Sequence, residues 1–100
     1  MINSKLKVKY SVVVPVYNEE GNVEELNSEI KAVMNSLKRT YEIIYINDGS
    51  TDKTLKELKS LKKIKVIDMN RNYGQATALD AGFKLAKGEI IVSMDGDLQN

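Results

Sequence analysis

Hydrophobic and polar positions follow two rhythms along this chain. Tyr10-Ser11-Val12-Val13-Val14-Pro15-Val16 is β-branched and nearly continuous, which predicts a strand buried on both faces. Residues 41–46, 64–69 and 90–94 repeat that signal and predict three more strands, the last, Ile90-Ile91-Val92-Ser93-Met94, also read as buried. Between them the period changes. Val23, Leu26, Ile30, Val33 and Leu37 are spaced by three and four, the stripe of a helix lying on a sheet. Asn22 is the expected N-cap of that helix, with Glu25 three residues on as its capping-box partner. Ser50 or Thr51 is expected to open a short helix with Leu55, Leu58 and Leu61 inward. A third helix is predicted from about Gly74 to Ala86, with Gly88 as its C′ glycine. Its inner side is small, with Ala78, Ala81 and Gly82 beside Leu79, Phe83 and Leu85, so it can lie close to its sheet.

The order β-α-β-α-β-α-β at these lengths predicts an α/β fold with a parallel sheet and right-handed crossovers. Residues 1–9 read as a tail and residues 10–100 as one domain. The length of 100 residues agrees with a single domain of modest core. With 15 basic and 14 acidic residues the net charge is +1, which gives no electrostatic case for nucleic acid. The absence of Cys excludes disulfides and thiolate metal sites, and the absence of His excludes an imidazole base. No apolar stretch approaches the ~20 residues of a membrane span, and the N-terminus lacks a signal-peptide core. A cytoplasmic domain is the expectation.

Candidate chemistry follows from topology. In open parallel sheets ligands bind beyond the carboxyl ends of the strands. Those ends are Tyr17-Asn18-Glu19-Glu20, Asn47-Asp48-Gly49-Ser50-Thr51-Asp52, Asn70-Arg71-Asn72-Tyr73-Gly74 and Asp95-Gly96-Asp97-Leu98-Gln99-Asn100. Three of the four carry carboxylates, and clustered carboxylates repel unless something cationic joins them. Oxygen ligands without thiol or imidazole point to Mg²⁺ or Mn²⁺, which in turn favours a diphosphate ligand. Each piece also has a plainer reading. Asp48-Gly49-Ser50 suits a turn and N-cap, Asp95-Gly96-Asp97 a surface turn, Pro15 a strand terminator, Tyr17 a core residue and Arg71 a solvated charge. Asp80, in mid-helix, reads as exposed.

Val14-Pro15-Val16-Tyr17-Asn18-Glu19-Glu20, Asn47-Asp48-Gly49-Ser50-Thr51-Asp52, Asn72-Tyr73-Gly74 through Ala81-Gly82 to Lys87-Gly88, and Asp95-Gly96-Asp97-Leu98-Gln99 together resemble the family 2 glycosyltransferases of the GT-A fold. The subgroup looks like dolichol-phosphate mannose synthase and related polyprenyl-phosphate sugar transferases. The resemblance covers about residues 10–100 and implies the N-terminal part of a Rossmann-like GT-A sheet, in the order 3-2-1-4. It implies inverting transfer of a sugar from a GDP- or UDP-sugar. Pro15, Tyr17 and Glu19 would line the nucleotide pocket, and Asp48 would hold the base or ribose. Asp95 and Asp97 would hold the metal, with Gln99 as a further metal or diphosphate contact. The acceptor would be a polyprenyl phosphate at the cytoplasmic membrane face. Family members continue beyond the Asp-X-Asp motif, so the chain is expected to be the donor-binding part of a longer protein, with its fourth strand an edge open to self-association. Three alternatives compete: a haloacid-dehalogenase-like phosphatase, a receiver-type domain, and a non-catalytic α/β fragment that binds nucleotide weakly or not at all. The first wants its Asp-X-Asp after the first strand, and the second wants an Asp after the third.

Overall fold

Four runs of β-branched and aromatic residues form β1 (Tyr10–Val16), β2 (Tyr41–Asn47), β3 (Lys65–Asp68) and β4 (Ile90–Ser93). They are joined by α1 (Val23–Ser36), α2 (Thr54–Ser60) and α3 (Gln75–Leu85). The computed structural model describes residues 7–94. Asp95, Asp97 and Gln99 therefore lie outside the described residues. All pairings are parallel and the strand order is β3-β2-β1-β4.

Side chains alternate across β1 and β2, so the sheet buries two cores. Val12, Val14, Val16, Ile43 and Tyr45 pack against Val23, Leu26, Ile30 and Met34 of α1 and Leu58 of α2. Val13, Ile44 and Ile46 face the other way, onto Ala78 of α3. A Cβ on Gly82 would come within 2.3 Å of Val13 Cγ1 and 2.8 Å of Ile46 Cδ1, so α3 approaches the sheet as closely as its small residues allow. Pro15 is tolerated inside a central strand because of backbone phase. Val13 O accepts from Met94 N on the β4 side, and Val16 O accepts from Asp48 N on the β2 side. Alternation turns the missing N–H of Pro15 toward β4, beyond the last described bond of that ladder.

Several local expectations are corrected. The buried face of α1 is Val23, Leu26, Asn27, Ile30 and Met34, while Val33 and Leu37 are exposed. Asn27 holds the buried slot because its Oδ1 accepts from the hydroxyl of Tyr45 at 2.8 Å. Burial pushes the Tyr45 phenol well above its ordinary range, so it stays a donor. The Asn22–Glu25 capping box does not form. Asn22 Nδ2 donates to Glu19 Oε1 instead, and no side chain of Asn22 caps the helix. α2 starts at Thr54, later than a Ser50 or Thr51 cap requires, and of the expected Leu55, Leu58 and Leu61 only Leu58 is fully buried, Leu61 lying past the helix end. In α3, Ala78 and Gly82 are buried while Phe83 and Leu85 are exposed. Gly88 is needed for close approach rather than for a left-handed cap: a Cβ there would lie 2.6 Å from Ser11 N.

β4 is not a buried strand. Ile90 and Ile91 are 45% and 43% exposed, because α3 packs on β1 and β2. Residues 7–9, placed in the tail by the sequence, are tied into the fold. Thr40 Oγ1 donates to Lys7 O, and the carbonyls of Val8 and Lys9 accept from Glu89 N and Ile90 N.

Candidate functional site

Parallel strands deliver the loops after β1, β2 and β3 to one sheet edge, and the backbone ladder runs into those loops. Asp48 N donates to Val16 O and Met69 N to Asn47 O, both at 2.9 Å, so each loop leaves its strand at a fixed height. Asn47 is buried, and its Nδ2 donates to Asp68 Oδ1 at 3.0 Å, joining the ends of β2 and β3.

Asp48 is 4% exposed. Its Oδ1 accepts from Tyr73 N at 2.8 Å and its Oδ2 from Gly74 N at 2.9 Å. A carboxylate thus caps the entry to α3, where free N–H groups and the helix dipole favour negative charge. Gly49 follows in the left-handed region (φ +72°), and Arg71 and Asn72 pass so close that a Cβ would lie 2.2 Å from Arg71 C. Arg71 is not simply solvated: its guanidinium sits 5.0 Å from the centroid of the Tyr73 ring.

The loop after β1 is fastened to the β2–α2 segment by reciprocal hydrogen bonds. Asn18 N donates to Ser50 Oγ (2.9 Å), Glu19 N to Thr54 Oγ1 (2.8 Å) and Glu20 N to Asp52 Oδ2 (3.2 Å). Gly21 N donates to both carboxylate oxygens of Glu57, at 3.0 and 3.1 Å. In return, Thr51 N donates to Asn18 Oδ1 (2.8 Å) and Lys53 N to Glu20 Oε1 (3.2 Å). Asn18 has φ +53°, a conformation that Asn tolerates better than most residues. The carboxyl of Asp52 lies below its ordinary range. Burial opposes this, and the hydroxyl of Thr54 with the N–H groups of Thr54 and Glu20 outweighs it.

The expected site residues take different positions. Pro15 is buried at the end of β1, while Tyr17 is 45% exposed and so not core, and Glu19 is half-buried beside it. Asp48 lies beneath the loop after β3, on the same edge. Asp80 is exposed and pairs with Lys84 at 3.2 Å. Along the described edge Asp48, Asp52, Glu20 and Glu57 accept from backbone N–H groups, and Asp68 and Glu19 from side-chain amides. Among the described residues no group of three acidic side chains could hold a metal ion. The case for a metal therefore rests on Asp95, Asp97 and Gln99. The sequence placed Asp52 on this edge without a role and did not single out Thr54 or Glu57, because nothing local marks Thr54 as a partner of Glu19, Asp52 of Glu20 or Glu57 of Gly21.

Fold and edge define an α/β protein whose loops after β1, β2 and β3 gather at the carboxyl ends of a parallel sheet. The model of the family "Glycosyl transferase family 2" matches residues 11–100, and the chain belongs to that family. An uncharacterized glycosyltransferase of Synechocystis sp. is 44% identical over 99 residues, covering 95% of this chain and 31% of the relative. The undecaprenyl-phosphate 4-deoxy-4-formamido-L-arabinose transferase of Aeromonas hydrophila is 41% identical, covering 100% of this chain and 32% of its own length. The chain thus spans about a third of these curated relatives. Among solved structures, the mannosyltransferase PcManGT of Pyrobaculum calidifontis, in complex with GDP-Man and Mn²⁺, superposes with TM-score 0.79 at 26% identity, over 91% of this chain and 28% of that one. S. aureus TarS 1-349 in complex with UDP-GlcNAc gives TM-score 0.76 at 32% identity, over 90% and 27%. With the strand order 3-2-1-4, these likenesses place the fold in the GT-A class.

Proposed function

We propose that this chain binds the donor of a metal-dependent, inverting glycosyltransferase that moves a sugar from a nucleotide diphosphate to a polyprenyl phosphate. The observation that carries the reading is the shared edge. Tyr17 and Glu19 are displayed on a loop locked to the segment that follows Asp48, within a chain that matches family 2 along residues 11–100. Tyr17 and Glu19 line the nucleotide pocket, and Pro15 fixes where their loop leaves β1. Asp48 has two of its roughly four lone-pair positions committed to Tyr73 N and Gly74 N, and at 4% exposure it would hold the base or ribose through the remaining ones only at the rim of the loop after β3. Asp95 and Asp97, with Gln99 as a further contact, hold Mg²⁺ or Mn²⁺; this donor set is oxygen only, as those hard cations prefer. Held by those residues, such a cation would supply Lewis-acid stabilisation of the charge on the leaving diphosphate. GDP-Man with Mn²⁺ in one structural neighbour and UDP-GlcNAc in another support the donor class. The acceptor is inferred from the undecaprenyl-phosphate relative. Such an acceptor is already anionic and needs no protein base, and its use places the reaction at the cytoplasmic membrane face.

Calorimetric titration of the folded chain with UDP and with GDP, each with and without Mn²⁺, tests the proposal. Heat is expected with at least one nucleotide, largely dependent on Mn²⁺, and Asp97→Ala should abolish the metal-dependent part. No heat from either nucleotide at millimolar concentration would sink the proposal and leave an α/β chain without donor binding.

A further inference from the structure

Many parallel α/β proteins grip a phosphate with free N–H groups in the first loop and at the start of the first helix. In the first loop of this chain that means is already used up. The four successive N–H groups of residues 18–21 donate to Ser50, Thr54, Asp52 and Glu57, and two of those acceptors are carboxylates. A diphosphate approaching this loop would meet negative charge where a phosphate-binding loop offers N–H groups. The loop is therefore left to display its side chains, and what fixes their place is the segment beneath it.

We infer that Thr54 and Asp52 are positioning residues of the donor pocket: they hold the backbone N–H groups of Glu19 and Glu20 so that Tyr17 and Glu19 meet the nucleotide, and do not themselves touch it. Thr54 is fully buried. Its hydroxyl has one proton, which it donates to Asp52 Oδ1, and this turns a lone pair toward Glu19 N. The other oxygen of Asp52 accepts from Glu20 N, so one carboxylate sets both the hydroxyl rotor and the next peptide. The residues on either side of Asp52 anchor this link in return, Thr51 N donating to Asn18 Oδ1 and Lys53 N to Glu20 Oε1.

The inference rests on the donor-pocket reading, and the test separates the two. Thr54→Val keeps the shape of the side chain and removes both hydrogen bonds. Asp52→Asn, at a half-buried position, keeps an acceptor for Thr54 and loses the one for Glu20. Calorimetry with UDP or GDP plus Mn²⁺, whichever the wild-type chain binds, gives affinity together with the binding-competent fraction. Both variants are expected to bind about tenfold more weakly at full stoichiometry, and Thr54→Ser is expected to return to within about twofold of wild type, the loss corresponding to about 1.4 kcal/mol. Amide exchange at Glu19 and Glu20 should quicken in the same variants. Should Thr54→Val fail to fold, Asp52→Asn gives the same readout. If the wild-type chain binds neither nucleotide, the donor-pocket reading falls and this inference with it. If wild type binds and the folded variants match its affinity, or Thr54→Ser fails to rescue, the positioning role alone is overturned.

Discussion

Gly49 has no side chain and yet decides how two loops of the site meet. Its φ of +72° already disfavours any residue with a Cβ, and that Cβ would lie 2.2 Å from Arg71 C and 2.3 Å from Asn72 N. Both are backbone atoms, which cannot swing aside as a side-chain tip can. Asp48, one residue earlier, holds the same opposing loop through Tyr73 N and Gly74 N. The two residues are therefore coupled: the glycine permits the approach that the carboxylate then fixes. Gly49→Ala is expected to lower stability by about 2–4 kcal/mol, combining backbone strain with a steric displacement of residues 71–74. A urea midpoint equal to that of wild type would show that the loop after β3 yields freely and that this account of Gly49 is wrong.

At the level of elements, the polar network at the other edge of the sheet explains how β4 is held. Ser11 Oγ is buried, donates to Glu42 Oε2 and accepts from Gly88 N at 2.7 Å. Glu42 also accepts from Lys87 N at 2.7 Å and pairs with Lys65 Nζ at 2.8 Å. One carboxylate on β2 thereby touches β1, β3 and the entry to β4. Burial alone would raise its pKa, but hydrogen bonds from Lys65, Ser11 and Lys87 N–H outweigh burial and lower it from the ordinary 4.5. Because the folded value is the lower one, Glu42 contributes stability above about pH 4.5, and that contribution is lost as pH falls through the folded value. Thermal melts should show stability flat near neutrality and falling in acid. Glu42→Gln should be about 1–3 kcal/mol less stable at pH 7 and show a shallower acid slope. An unchanged slope would remove Glu42 from the acid response, although Asp52, also lowered, would still contribute. The order of elements was legible in the sequence because continuous β-branched runs and three-four spacing are local signals. The inner face of α1 was misphased toward Val33 and Leu37 because Asn27 fills a buried slot that only Tyr45, on another element, makes acceptable. The common edge of Tyr17, Glu19 and Asp48 was legible from parallel topology. The bonds from Thr54, Asp52 and Glu57 to the first loop were not, since each joins residues more than thirty positions apart.

At the scale of the whole molecule, β4 is the least covered strand among the described residues. Among the described residues it pairs only with β1, leaving the groups along its other side without a strand partner. Neighbouring residues on a strand point to opposite faces, and Ile90 and Ile91 are both exposed. β4 is therefore only partly covered on both faces, with Val92 half-buried, and nothing charged lies within Ile90–Ser93 to blunt it. β3, the opposite edge, is half-buried over Lys65, Val66 and Ile67 and ends in Asp68, so it is a poorer template. An apolar, uncovered edge strand recruits another strand, by main-chain pairing first and apolar contact second. The chain is accordingly expected to self-associate through β4, with a mass by light scattering that rises with concentration. Ile91→Lys places a charge on that edge and should shift the population toward monomer, with the two sheet cores untouched because Ile91 packs in neither. Wild-type chain that stays monomeric from micromolar to near-millimolar concentration would mean that this edge does not recruit a partner copy. Association that Ile91→Lys leaves unchanged would move the interface elsewhere, with the exposed Val33 and Leu37 of α1 the next surface to mutate.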